Sequence, residues 1–252
     1  MTPDPIPLRA PSMLECRNCG AGVPLDDHFC GQCDRILALG RHGDYFSFLG
    51  FPRRLSLDAQ TLERRFRELS RKFHPDYFYN SSPTERLASL ERSSYLNDAY
   101  RTLRNPAARI EHLLAIEGLP PAKSDEGGVK VPPALLEEVF ELNEELDQIR
   151  ESREEGGDRE TLRRRLDAAR EPIDRKRVEH ERQIAGLMER WDAQSEAQSP
   201  ERKATLEALR ERLFERKYID NLIATIEREA AEVRPDTAPI QPTGKARAED
   251  RS

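Results

Sequence analysis

All four cysteines of this 252-residue chain fall in one short segment, as Cys16-x-x-Cys19 and, after ten residues, Cys30-x-x-Cys33. Each pair brings two thiolates round one tight turn, and two such turns supply the ligands of a closed tetrahedral zinc site. With all four positions filled by thiolate, no coordination position is open for catalysis. The role implied is structural, holding a segment too small to bury a core. Iron or a redox function is the alternative for such a cluster. Disulfides would need an oxidising compartment, for which no targeting signal is evident. Gly20 follows the first pair and Gly31 lies within the second, where glycine relieves backbone crowding. His28 sits between the pairs, but four thiols complete the shell, so it is expected to be a bystander. The other chemistry-bearing cluster is His74-Pro75-Asp76. Proline and aspartate are common turn residues, and the tripeptide alone reads as a turn. No glycine-rich phosphate loop, no paired carboxylates in an apolar setting and no leftover cysteine nucleophile accompany it, so the sequence does not read as an enzyme.

The flanking segments give that tripeptide its setting. Leu62, Phe66, Leu69 and Phe73 recur at helical spacing and form one apolar stripe. The opposite face carries Arg64, Arg65, Arg67, Arg71 and Lys72 against Glu63 and Glu68. Pro75 disfavours the helical conformation at His74, so this helix ends near Phe73. A second helix starts at Ser82-Pro83, with Ser82 as cap and Pro83 in the first turn. Its apolar positions include Leu87, Leu90, Leu96, Tyr100 and Leu103, and it runs to Ala99-Tyr100-Arg101-Thr102-Leu103-Arg104-Asn105-Pro106. Two antiparallel helices packed through these stripes hold His74, Pro75 and Asp76 at the tip of a hairpin, in solvent. A shorter helix precedes them, with Asp44 as cap, Tyr45, Phe46 and Leu49 on one side, and Gly50 at its end.

This combination resembles the J-domain of the DnaJ superfamily, and within it the HscB co-chaperones of iron–sulfur cluster assembly. Phe73 to Phe78, then Tyr95-Leu96-Asn97-Asp98-Ala99-Tyr100 and Ala108-Arg109-Ile110-Glu111-His112-Leu113-Leu114, carry the likeness. Tyr77 stands where that family usually has lysine. The resemblance implies that His74, Pro75 and Asp76, with the basic face bearing Arg64, Arg67, Arg71 and Lys72, dock onto an HscA/DnaK-type ATPase chaperone and stimulate its ATP hydrolysis. Some HscB-like proteins also carry a four-cysteine N-terminal domain.

Composition bears on the rest. Charged residues make up 35% of the chain and apolar ones only 37%, which suits long solvent-laced helices sharing narrow seams. No run of 18 apolar residues occurs, so no helical membrane span is expected. A formal charge of −6 argues against general nucleic-acid binding, which needs an excess of Lys and Arg. Met1 to Pro11 reads as neither a secretory signal nor an Arg-rich transit peptide, and a cytoplasmic protein is the simplest expectation.

After the hairpin, Gly118-Leu119-Pro120-Pro121 and Gly127-Gly128 mark a linker over 117–131. Pro132-Pro133 opens a helix to about Glu151, whose core stripe is Leu135, Val139, Leu142, Leu146 and Ile149. Leu136 and Phe140 lie on its flank among glutamates, either as internal packing or as a partner-binding patch. The resemblance implies the patch: in HscB co-chaperones this helix binds the iron–sulfur scaffold IscU, which assigns scaffold contacts to Leu136, Phe140 and Glu141, with Tyr218 as the aromatic from the last helix. Asp158 caps a further helix with Leu162, Leu166, Ala169 and Ile173 inward, resuming at Ile184, Leu187 and Trp191. Pro172 is expected to kink it, not end it. His180 is expected at the surface or its boundary. Ser199-Pro200 opens the last helix, with Leu206, Leu209 and Leu213 as one stripe and Phe214, Tyr218 and Leu222 as another.

The expected fold is therefore all-α: a J-domain helical hairpin over 43–116 and a C-terminal three-helix bundle over 132–232. A zinc-knuckle segment over 12–40 comes first, after a flexible 1–11, and a disordered tail follows over 233–252. A co-chaperone that presents an IscU-type scaffold to an HscA/DnaK-type ATPase is the leading reading, with structural Zn2+ and no nucleic-acid or membrane partner. The alternatives are a general J-domain co-chaperone for unfolded clients with a zinc adaptor, and a zinc-ribbon nucleic-acid binder.

Overall fold

A computed structural model describes residues 13–24, 26–40, 43–119, 131–194 and 199–233. The expectations for the first eleven residues, for most of the 117–131 connection and for the tail lie outside the described residues. The described chain is almost wholly helical. Its strands are β1 (Met13–Glu15) and β2 (Gly22–Pro24), antiparallel with Leu14 opposite Val23, plus a single bridge between Phe29 and Ile36. Seven α-helices follow: α1 (Tyr45–Leu49), α2 (Ala59–Phe73), α3 (Pro83–Arg104), α4 (Pro106–Ile116), α5 (Leu136–Glu154), α6 (Arg159–Ala193) and α7 (Pro200–Val233).

Helix ends fall where the side chains can satisfy unpaired backbone N–H groups. The Asp44 carboxylate accepts from the Phe46 and Ser47 N–H, and Gly50 closes α1 in the left-handed region at φ 74°. Asp58 caps α2 through the Thr61 N–H at 2.8 Å. Ser82 and Glu85 form a reciprocal capping box at the start of α3. Asn105 accepts from Ala107 and Ala108, so the chain turns from α3 into α4 without a loop. Asp158 accepts from the Thr161 N–H just ahead of α6. Pro132-Pro133 yields a 3₁₀ turn (Pro133–Leu135), so the regular helix begins at Leu136. Pro172 lies within the unbroken α6.

Two compact units divide the chain, and α6 and α7 each contribute residues to both. The first comprises 1–128 and 180–214, the second 129–179 and 215–252. The core of the first is built from Phe46, Phe48, Leu49, Leu62, Leu69, Phe73, Leu96, Leu103, Ile110 and Leu113. Trp191, Leu206, Leu209 and Leu213 belong to this same core. The Trp191 indole donates to the Arg53 carbonyl at 3.0 Å, and Asp192 accepts from the Leu55 and Ser56 N–H at 2.7 Å each. The second unit buries Leu135, Val139, Leu142, Leu146, Ile149, Leu162, Leu166, Ile173, Ile219, Leu222, Ile223 and Ile226. Its α5 stripe is the one expected.

Three side chains sit elsewhere than expected. Leu87 and Leu90 are exposed. The inward face of α3 is instead Ala88, Ser89, Arg92, Leu96, Ala99 and Leu103, because small side chains let the knuckle segment and α2 approach. His180 is buried.

Candidate functional site

The α2 stripe faces α3, with Phe66 stacked on Tyr100 at 4.2 Å between ring centroids. That packing leaves the turn between the two helices projecting. Residues 75–78 form a 3₁₀ turn for which His74 is the cap, its Nδ1 accepting the Asp76 N–H at 3.3 Å. The neutral imidazole then carries its proton on Nε2. The side chains of His74 and Asp76 are 51% and 87% exposed, with Nδ1 3.5 Å from Oδ2. The corner is thus in solvent, held by a local backbone hydrogen bond, with Tyr77 edge-on to the imidazole. Behind it the Phe73 ring is fully buried, and the Phe73 carbonyl accepts from Ser89 at 2.6 Å and Ser93 at 3.0 Å.

Arg64, Arg67, Arg71 and Lys72 are exposed on α2. Arg64, Arg67 and Arg71, with Gln60 and Glu63, line a shallow groove. Glu63 pairs with Arg67 at 2.6 Å and Glu68 with Lys72 at 2.8 Å, at the i,i+4 spacing that favours acid before base. Lys72 and then Arg65 hold the Glu68 carboxyl at about 2. Arg65 leaves the basic face: its Nε donates to the Leu49 carbonyl at 3.1 Å and ties α2 to the end of α1.

The four cysteine sulfurs all lie within 4.8 Å of one another, with Cys16 to Cys33 at 3.8 Å and Cys19 to Cys30 at 3.6 Å. Sulfurs at the corners of a tetrahedron around zinc, each about 2.3 Å from the ion, stand about 3.8 Å apart. The donor set and its spacing fit such an ion. The two knuckles repeat one pattern. Gly20 N–H donates to Cys16 O and Asp34 N–H to Cys30 O, while Cys16 N–H reaches Ala21 O and Cys30 N–H reaches Arg35 O. In each, the residue after the second cysteine is left-handed: Gly20 at φ 74° and Asp34 at φ 54°. Gly31, expected to relieve crowding, does not occupy that position. The backbone N–H groups of Asn18 and Cys19 draw the Cys16 thiol below its usual range, and those of Arg35 with the Asn18 side chain draw Cys33 to about 6. Cys19, although the Ala21 N–H pulls the other way, is pushed up to about 12 by burial and its sulfur neighbours.

Sequence reasoning missed what lies between these two sites. His28 is not a ligand, but neither is it a bystander. Its ring stands edge-on to Phe48 at 4.8 Å and to Phe73 at 4.9 Å. Its Nε2 donates to the Phe48 carbonyl at 3.0 Å, and its Nδ1 accepts from Arg92 at 2.7 Å. Arg92 is 1% exposed and also donates to the carbonyls of Leu37 (2.7 Å), Ala38 (3.3 Å) and Asp27 (3.3 Å). Arg35 grips both oxygens of Glu85, at 2.9 and 2.7 Å, holding that carboxyl below its usual range. An arginine in a run such as Leu90-Glu91-Arg92-Ser93 carries no mark of burial; only its alignment with Ala88 and Leu96 on one helix face hints at it.

In the second unit, Leu136 and Phe140 are 54% and 64% exposed one turn apart on α5, with Glu141 exposed beside them. Two large apolar side chains in water are the observation that packing does not explain. Tyr218 is half-buried against the core of that unit.

No protein-family model matches the sequence. Solved structures do match. The human co-chaperone protein HscB is 25% identical, with a TM-score of 0.61 over 86% of this chain and 98% of its own. The chaperone HscB from Vibrio cholerae is 25% identical, with a TM-score of 0.57 over 76% of this chain and all of its own. The chain has the fold of the HscB co-chaperones along nearly their whole length, and it holds a four-cysteine cluster suited to a metal ion.

Proposed function

We propose that this chain is an HscB-type J-domain co-chaperone of iron–sulfur cluster assembly. In this reading His74, Pro75 and Asp76, with Arg64, Arg67, Arg71 and Lys72, engage an HscA/DnaK-type ATPase chaperone and stimulate its hydrolysis of ATP. Leu136, Phe140 and Glu141, with Tyr218, bind an IscU-type scaffold. The four thiolates of Cys16, Cys19, Cys30 and Cys33 hold zinc as a structural ion. The single observation that carries the reading is the exposed His74–Asp76 corner between a basic helix and its antiparallel partner. Its exposed imidazole and carboxylate do nothing for the core, and the turn beneath them, held by a local hydrogen bond, lowers the ordering cost of docking.

No chemistry is required of the chain itself. One polypeptide holding both the trigger and the client converts the second encounter into an intramolecular one and raises its effective concentration. The test is ATPase stimulation of a DnaK-type chaperone. His74→Gln, a change at an exposed position, abolishes stimulation while scaffold binding by calorimetry persists. Leu136→Ala with Phe140→Ala does the reverse, weakening scaffold binding by about 10-fold or more, as expected for losing two apolar anchors. Stimulation at wild-type level by His74→Gln rejects the reading.

A further inference from the structure

We propose that the four-cysteine segment is a positioning device for the His74–Pro75–Asp76 corner, so that metal occupancy sets how rigidly the corner is presented; this rests on the ATPase-docking role given to that corner above. The link is Phe73, the last residue of α2 and the covalent neighbour of His74. From the knuckle side Phe29 stacks on its ring at 6.0 Å and His28 meets it edge-on at 4.9 Å; Arg92 of α3, whose guanidinium the knuckle carbonyls fix, lies 5.8 Å from its centroid. From the side of the hairpin and α1, Ser89 and Ser93 hold its carbonyl and Phe48 meets its ring at 6.1 Å.

The holding groups all depend on one loop. His28 and Phe29 directly precede Cys30, while Leu37 and Ala38, whose carbonyls take Arg92, follow Cys33. The loop closes on itself through Leu37 N–H to His28 O at 3.0 Å. Within the segment the buried cluster is Cys16, Val23, Cys30 and Leu37, two of them ligand cysteines. A core of that size does not keep a loop in shape without its ion. When the ion leaves, His28 and Phe29 lose their fixed position. Arg92 loses carbonyl acceptors while remaining buried, and Phe73 loses two of the rings that pack on it. His28, Phe29 and Arg92 are therefore positioning residues, acting on the docking corner through Phe73.

Amide hydrogen exchange on the full chain tests this, with the metal removed by a chelator and, separately, in His28→Ala. Amides of residues 74–79 should exchange roughly tenfold faster in both cases, while those of α5 stay as they were. His28→Gln, whose amide can both donate to Phe48 and accept from Arg92, should restore most of the protection. In the ATPase assay, His28→Ala should raise the concentration needed for half-maximal stimulation more than it lowers the maximum. Unchanged exchange at 74–79 after metal removal overturns the proposal. So does acceleration spread evenly over α1–α4, which would make the knuckle a general brace. The two readings fail separately: coupling in exchange with His74→Gln still active rejects the docking role alone, and no coupling with His74→Gln inactive rejects only the positioning.

Discussion

In the first unit the arginines on which the fold depends are buried and donate to backbone carbonyls, whereas in the second they stand at the rim and pair with carboxylates. Arg92 serves Asp27, Leu37 and Ala38, and Arg109 serves Leu55 and the Leu103 carbonyl. Burial draws Arg92 down to about 10 and Arg109 downward as well, yet at 10 Arg92 stays charged at neutral pH. Arg150 and Arg153 instead share Glu229, at 2.6 and 3.2 Å, and the Glu229 carboxylate raises Arg150 further above its usual range. The difference follows from backbone accounting. The first unit packs irregular chain around a hairpin, and carbonyls outside helices need donors that a fork of five N–H groups can supply. The second is helices on helices, where the backbone is satisfied within each helix and charge is left to trim the seams.

The largest expected effect tests that contrast directly. Arg92→Ala leaves a cavity and several buried carbonyls without donors, and should cost about 3–5 kcal/mol. Arg92→Lys should rescue little, since an ammonium cannot span acceptors placed for a planar fork. Arg150→Ala, at a half-exposed pair where Arg153 still faces Glu229, should cost at most about 1 kcal/mol. Denaturant titration of each variant measures both. Comparable losses would mean that the two kinds of arginine are equivalent after all.

The same contrast explains what the sequence disclosed. Helical stripes were legible wherever large apolar residues alone filled a seam, as for Leu62, Leu69 and Phe73 or for the four core positions of α5 with Leu135 just ahead of it. The caps at Asp44, Ser82 and Asp158 were legible because capping is local chemistry. The flank position of Leu136 and Phe140 followed from angle alone, while the choice between internal packing and exposure was left open. On α3 the reading held for Leu96, Tyr100 and Leu103 but failed at 87 and 90, where the leucines are exposed and Ala88, Ser89 and Arg92 face inward. Hydrophobicity does not distinguish an arginine with carbonyl partners from one in water. Nor does periodicity name the partner of a stripe: Leu206, Leu209 and Leu213 joined the core of the first unit, not the second. His28 and His180 were misplaced for a similar reason, since a lone imidazole carries no periodic signal.

A smaller effect sharpens the comparison at two of the left-handed glycines, one in each unit. Gly20, at φ 74°, belongs to a knuckle, and Gly156, at φ 82°, to the turn between α5 and α6. A methyl group at Gly20 meets nothing closer than Glu15 at 3.6 Å, and none at Gly156 meets any atom within 4 Å, so alanine brings conformational strain alone. Each Gly→Ala change should cost about 1–2 kcal/mol of stability. Only Gly20→Ala should also weaken metal binding, by about 10-fold in a chelator competition, because the knuckle is where folding and ligation are one equilibrium. Asp34→Gly should change little, within about 0.5 kcal/mol, since relief of the left-handed strain is offset by the greater freedom of glycine in the unfolded chain.

The smallest effect concerns a place where the first unit uses the device of the second. Glu85 caps α3 and accepts both contacts from Arg35, so it joins the knuckle segment to the hairpin by a side-chain pair. Arg35, and then Ser82 against the opposing effect of burial, lower the Glu85 carboxyl. A carboxyl whose folded value lies below its unfolded one contributes stability that is present above the unfolded value, about 4.3, and is lost as the pH falls through the folded value. Glu85→Gln should therefore cost about 1 kcal/mol at pH 7, discounted because the Arg35 side chain is 52% exposed. As the pH falls below the unfolded value the carboxyl contributes less, so the gap between the two proteins should narrow toward pH 3. Arg92 holds the same segment through three carbonyls, which do not titrate, as well as through the His28 imidazole, so the loss from Arg92→Ala should persist at pH 3. Thermal unfolding at pH 7 and pH 3 separates the two attachments. A Glu85→Gln deficit that survives at pH 3 would assign the loss to the capping geometry, and the knuckle would then be attached by carbonyl-bound arginine alone.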